Sequence, residues 1–209
     1  MGVGIEHNPS PEAESGRAAF DVVAIAASAG GLNAIGRVLK NLPENFAASI
    51  LIVQHLDPRH RSLMAEIMNR HTRLRVKQAE EGDALHAGRV YIAPPDRHML
   101  VNRDHTLSLT QTELVHFLRP SADLLLESVA AAYKDRAIAV VLSGSGRDGA
   151  MGVQAIKKMG GTVIAQNEET AEFFGMPSAA IDSGNVDLTL PLDDISSALV
   201  TLVNGSISQ

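Results

Sequence analysis

The chain has 209 residues, with 18 basic and 24 acidic side chains for a formal net charge of −6; 45% of residues are hydrophobic, 3% are aromatic, and cysteine and tryptophan are absent. Zero cysteine excludes disulfides, thiolate zinc sites and a cysteine nucleophile, and the negative balance argues against whole-protein attraction to nucleic acid or an anionic membrane. The length fits one domain able to bury a full core, and small aliphatic residues without many aromatics suggest helices packed on a sheet rather than a sandwich or barrel.

Residues 1–20 are polar, carry prolines at 9 and 11, and lack an apolar or basic leader; they are expected to form a disordered tail. Residues 21–27 read as a buried strand, and Leu32, Ile35, Leu39 and Leu42 then recur at helical spacing. A second strand is expected over 49–54, followed by a helix with Leu63, Met64, Ile67 and Met68 on one face. A third spans 89–93 and stops at Pro94-Pro95, and segments 99–101 and 106–110 alternate around Arg103-Asp104-His105 as a hairpin. Ser121 caps a helix to Tyr133, and 137–143 is a fourth long apolar strand. The next helix opens at Asp148 or Gly149 and closes at Gly160-Gly161. Strands at 162–166 and 186–190, a helix over 193–202 and a polar end at 205–209 complete the chain. This alternation predicts an α/β fold over 21–204: a doubly wound, mostly parallel sheet with helices on both faces and a small antiparallel hairpin. No apolar run approaches the roughly 18 residues of a membrane helix, so a cytoplasmic protein without membrane insertion is expected.

The residues just past each long apolar strand carry the chemistry. After the first strand comes Ser28-Ala29-Gly30-Gly31, after the second His55, and after the fourth Gly144-Ser145-Gly146-Arg147-Asp148-Gly149. The carboxyl ends of parallel strands share one rim, where ligands bind, so a serine, a histidine and an aspartate converge there. A serine hydroxyl is a weak nucleophile until a base takes its proton, and an imidazole does so best when a carboxylate fixes its tautomer. Gly30, Gly31, Ser145 and Gly146 would bring backbone amides to the same rim, where they could stabilise an oxyanion. Taken singly, Ser28 and Asp148 are ordinary helix N-caps and His55 an ordinary loop histidine; together at three strand ends they favour a serine hydrolase.

Two readings from other classes compete. Gly144-x-Gly146-x-x-Gly149 succeeds a strand, opens a helix and has Glu168 about 20 residues on, which fits a dinucleotide fingerprint but leaves Ser28 and His55 without a task. A catalytically inactive signalling module would use the same cleft, but its hallmark is a broken triad. The eight histidines form no ligand signature, so no metal is expected. A basic run from Arg59 to Lys77, including Arg70 and Arg73, is either a solvated helix face or a positive flank of the cleft that steers an acidic substrate.

The segments VVAIAASAGGLNAI (22–35), ILIVQHLDP (50–58), VYIAPPDRHML (90–100), RPSADLLLESVA (119–130), VVLSGSGRDGAMG (140–152) and FFGMPSAAI (173–181) resemble, in order, the catalytic domain of the chemotaxis protein-glutamate methylesterases, the CheB family. The resemblance covers roughly 21–203 and implies an α/β fold whose serine, histidine and aspartate are Ser28, His55 and Asp148. It implies hydrolysis of glutamate γ-methyl esters on a chemoreceptor or related sensory protein, with glutamine deamidation in many members and no cofactor. The chain departs from the family at Ala29, where many members have Thr, and at Ser145, where many have Met. The family usually bears an N-terminal receiver domain, which twenty polar residues cannot form; regulation by a partner in trans is the expectation.

Overall fold

Residues 19–55 and 62–205 are described by the computed structural model. Most of the two expected tails, 1–18 and 206–209, lies outside the described residues. Residues 19 and 20 belong to the fold: the Ala19 amide donates to Val203 O at 2.8 Å, and Phe20 packs on the core.

The central strands β1 (Val22–Ala27), β2 (Ser49–Gln54) and β7 (Ala137–Val141) are buried at every position. Strands covered on both faces need continuous apolar sequence, which is what these three have. With β3 (Arg75–Gln78), β4 (Arg89–Ile92), β8 (Thr162–Gln166) and β9 (Leu188–Leu190) they form a seven-stranded sheet in the order β3-β4-β2-β1-β7-β8-β9. Every pairing in it is parallel. Strands β5 (His98–Val101) and β6 (Leu107–Thr110) make the separate antiparallel hairpin.

Alternate residues of β1 feed two cores. Val23, Ile25 and Ala27 pack with Ile35, Val38 and Leu39 of α1 (Gly31–Lys40), Met64 and Met68 of α2 (Met64–Asn69), and Ile195, Leu199 and Val203 of α6 (Leu192–Val203). Val22, Ala24 and Ala26 pack with Leu125, Leu126 and Val129 of α3 (Ala122–Tyr133), Val153 and Ile156 of α4 (Ala150–Lys158), and Met176 and Ala180 of α5 (Gly175–Asp182). Each such Leu, Ile or Val contributes about 1.5–3 kcal/mol by leaving water. Among the described residues no helix is long and apolar enough to cross a membrane.

From β1 the chain passes to β2, goes out to the sheet edge as β3, fills the gap between them as β4, then returns to the other side of β1 as β7. The point where the winding reverses, between β1 and β7, is where an open parallel sheet leaves a crevice at its carboxyl rim. Ser28 sits at that point.

Two elements and one charged run differ from expectation. Strand β3 goes unrecognised in the sequence because only Val76 of its four residues is buried, too little for a pattern. Helix α5 also goes unread, since Gly-Met-Pro suggests a turn; Pro177 falls in its first turn, where the missing N–H costs nothing. Two residues of the basic run, Arg73 and Arg75, lie away from the rim. Arg75 and Arg89 begin β3 and β4, and with Arg73 and Glu44 they line a 260 Å³ hollow at the amino end of the sheet. Arg59 and Arg61 lie outside the described residues.

Candidate active site

Strand β1 ends at Ala27 and the chain turns at once. The Ser28 amide donates to Ser143 O at 3.0 Å, and the Gly31 amide returns to Ser28 O at 2.9 Å. Gly30 holds the turn with φ 73°, a left-handed conformation that favours glycine, and is the N-cap of α1. Ser28 is therefore not a helix cap. Gly31 is needed for close approach, because a Cβ there would collide with the Gln54 side chain and Ala27.

His55 ends the neighbouring strand. Its amide donates to Ala27 O at 3.1 Å, which sets it alongside the Ser28 turn on strands about 4.8 Å apart. Buried Gln54 clamps the two residues: its Nε2 donates to Ser28 O at 2.7 Å and to His55 O at 3.1 Å. Its Oε1 has no partner among the described residues.

His55 Nε2 lies 2.8 Å from Asp148 Oδ2. Asp148, 3% exposed, does not cap its own helix; that position belongs to Gly149. Its carboxylate crosses to the start of α3, where Oδ2 accepts from the Ala122 amide (2.6 Å) and Oδ1 from the Asp123 amide (3.0 Å) and Ser121 Oγ (2.9 Å). Burial pushes this carboxyl up, but the His55 hydrogen bond and the two helix-start amides outweigh it and hold Asp148 below the usual carboxylate range. Ser121 is fixed in turn: its amide donates to buried His98 Nδ1 at 3.1 Å.

Asp123 answers in the opposite direction. Its Oδ1 accepts from the amides of Gly149 (2.8 Å), Met151 (3.0 Å) and Gly152 (2.8 Å) at the start of α4. Burial, reinforced by the neighbouring Asp148 charge, raises its pKa despite these bonds. A carboxylate thus already occupies the amides that a dinucleotide pyrophosphate would need, and the Gly144-x-Gly146-x-x-Gly149 fingerprint has no phosphate seat. Glu168 is exposed beyond β8. Among the described residues no three histidine, aspartate or glutamate side chains gather as a metal site.

The structure therefore bonds His55 to Asp148 and sets Ser28 beside them without closing a Ser28–His55 hydrogen bond. Ser28 Oγ and His55 Nδ1 have no hydrogen-bond partner among the described residues, as is common before substrate arrives. Of the four expected oxyanion positions, Gly31 is excluded because its amide is spent on Ser28 O. The amides of Gly30, Ser145 and Gly146 donate to nothing among the described residues. Gln54, Asp123 and His98 escape the sequence reading, which sees Ser121 only as the cap of α3; their tasks, and the bond from Ser121 to Asp148, are contacts across the fold.

The family model for CheB methylesterase matches residues 23–199. A protein-glutamate methylesterase/protein-glutamine glutaminase of Pyrococcus abyssi is 41% identical over 87% of this chain and 50% of its own length, so the chain spans about half of that relative. A Leptospira interrogans protein provisionally given the same name is 37% identical over 91% of this chain and 98% of its own. The crystal structure of the Thermotoga maritima CheB methylesterase catalytic domain superposes with a TM-score of 0.85 at 37% identity, covering 88% of this chain and 99% of that one. A match that runs through both halves of the sheet and both sides of the rim has one reading: the chain belongs to the CheB methylesterase family.

Proposed function

We propose that the chain is a cytoplasmic protein-glutamate methylesterase, with glutamine deamidation as a second activity, and that Ser28, His55 and Asp148 are its catalytic triad. The observation that carries this is the His55–Asp148 pair, held beside a serine at the switch point of the sheet. Membership of the family and the names of the relatives support the reaction class.

In this reading Ser28 Oγ attacks the γ-ester carbonyl of a glutamyl residue while His55 Nδ1 takes its proton. The proton on Nε2 stays hydrogen-bonded to Asp148, which remains ionised and stabilises the imidazolium. Amides of Gly30, Ser145 and Gly146 meet the developing oxyanion. Collapse expels methanol as His55 returns the proton to the leaving oxygen. Water, deprotonated by His55, then attacks the acyl-serine; the carboxylate leaves and Ser28 recovers its proton. With glutamine the leaving group is ammonia. The substrate is a methylated chemoreceptor or related sensory protein, and regulation comes from a partner in trans.

The test is methanol release from a methyl-labelled receptor cytoplasmic fragment. Wild type should release label, and Ser28→Ala should be slower by about 10⁴–10⁶-fold. Near-native release by Ser28→Ala overturns the mechanism; a wild-type chain that binds the fragment and releases nothing is an inactive module.

A further inference from the structure

Between β6 and α3 the chain reverses in a two-residue turn. Val115 N donates to Leu118 O at 3.2 Å and Leu118 N to Val115 O at 2.8 Å. The two residues at its tip, His116 (φ 51°) and Phe117 (φ 65°), are both left-handed. Turns of this shape favour Asn-Gly, because a Cβ at positive φ is strained. Here the tip carries an imidazole and a phenyl ring. Phe117 is 92% exposed, the most exposed large apolar residue of the described chain, and joins neither core. A strained backbone thus holds an aromatic ring in water, two unfavourable choices that nothing inside the described fold offsets.

The position of the turn supplies a reason. His116 and Leu118, on either side of the ring, line a cleft of about 620 Å³ with Gly146, Asp148 and Met151. Met151, in the first turn of α4, is 57% exposed. His116 Nε2 lies 3.9 Å from Asp123 Oδ2, which ties the turn to the brace between α3 and α4. The cleft meets the candidate site at Asp148, the hydrogen-bond partner of His55. A small ligand inside it would leave Phe117 wet; only a macromolecule lying across the mouth can cover the ring. A helix does this with one face, because residues three and four positions from a reacting glutamate project beside it.

We propose that the turn formed by residues 115–118 is a substrate clamp, in which Phe117 and Met151 grip an α-helix of the substrate protein by apolar residues three or four positions from its esterified glutamate. This inference rests on the methylesterase reading of the site and adds what selects the helix.

The probe is a fluorescein-labelled helical peptide with one glutamate γ-methyl ester and leucines three and four residues away, paired with a version carrying serines there. Binding is read by anisotropy on Ser28→Ala protein, so that the ester survives. The leucine peptide should bind about tenfold more tightly than the serine peptide, and adding Phe117→Ser should bring the two within about twofold. A second variant, His116→Asn with Phe117→Gly in the same background, should lose the preference equally while melting at a higher temperature, which separates docking from unfolding. A folded Phe117→Ser protein that keeps the preference, or no preference in the parent, overturns the clamp. Should Phe117-dependent binding appear while wild type releases no methanol from the bound peptide, the clamp stands and the hydrolase reading falls.

Discussion

Helices α3 and α4 begin side by side and exchange carboxylates: Asp148, which precedes α4, lies on the first amides of α3, and Asp123, in the first turn of α3, lies on those of α4. Both groups are buried at helix starts, yet Asp123 is raised and Asp148 lowered. Burial pushes both up. Two things differ: Asp123 also feels the neighbouring Asp148 charge, and Asp148 has one more donor, the His55 ring at 2.8 Å. A helix start gives a carboxylate its place, and the additional donor decides whether that carboxylate only braces two helices or also orients a base.

The widest separation between the two sites should be in turnover. Asp148→Asn removes an acceptor for His55 and should slow methanol release by about 10³–10⁴-fold. Asp123→Asn can still accept three amides through Oδ1 and should cost less than about tenfold. Equal losses would erase the distinction. In stability, Asp148→Ala strands His55, Ser121 and two amides and should cost about 2–4 kcal/mol in urea unfolding. Asp123→Asn, which removes a charge the fold disfavours, should stay within about 1 kcal/mol of wild type. Ser121→Ala loses both the cap of α3 and one bond to Asp148 and should cost about 1 kcal/mol, with a few-fold drop in turnover.

The finest discrimination is a trend with pH. Asp148, lowered in the fold, contributes stability that is present above the ordinary carboxylate pKa of about 4 and is lost as pH falls through its folded value. Asp123, raised in the fold, contributes in the reverse sense: its share is present below about 4 and is lost as pH rises through its folded value. Asp123→Asn abolishes only the second, so its stability relative to wild type should climb between about pH 4 and 7. A flat difference in urea midpoints over that range would contradict the raised pKa.

Legibility in the sequence tracked how local each signal is. Strands β1, β2 and β7 carry unbroken apolar runs, and because a parallel sheet aligns its strand ends, Ser28, His55 and Asp148 could be placed on one rim from sequence order alone. Asp148 also reads as a cap for its own helix, and that fails because the amides it satisfies belong to α3, a contact no neighbouring residue announces. The same holds for Gln54, one polar residue at a strand end whose clamp on Ser28 and His55 exists only once β1 and β2 pair. Strand β3 has a single buried residue, and the turn at 115–118 lacks the glycine or asparagine that marks such turns.

The most direct test of a cooperating triad compares Ser28→Ala, His55→Ala and the double variant in methanol release from the same labelled fragment. If hydroxyl and imidazole act as one device, each single substitution removes nearly all of the rate and the pair together is no slower than the worse single. Independent losses that multiply in the double variant would mean that the two side chains, although neighbours at the ends of adjacent strands, do not share a proton.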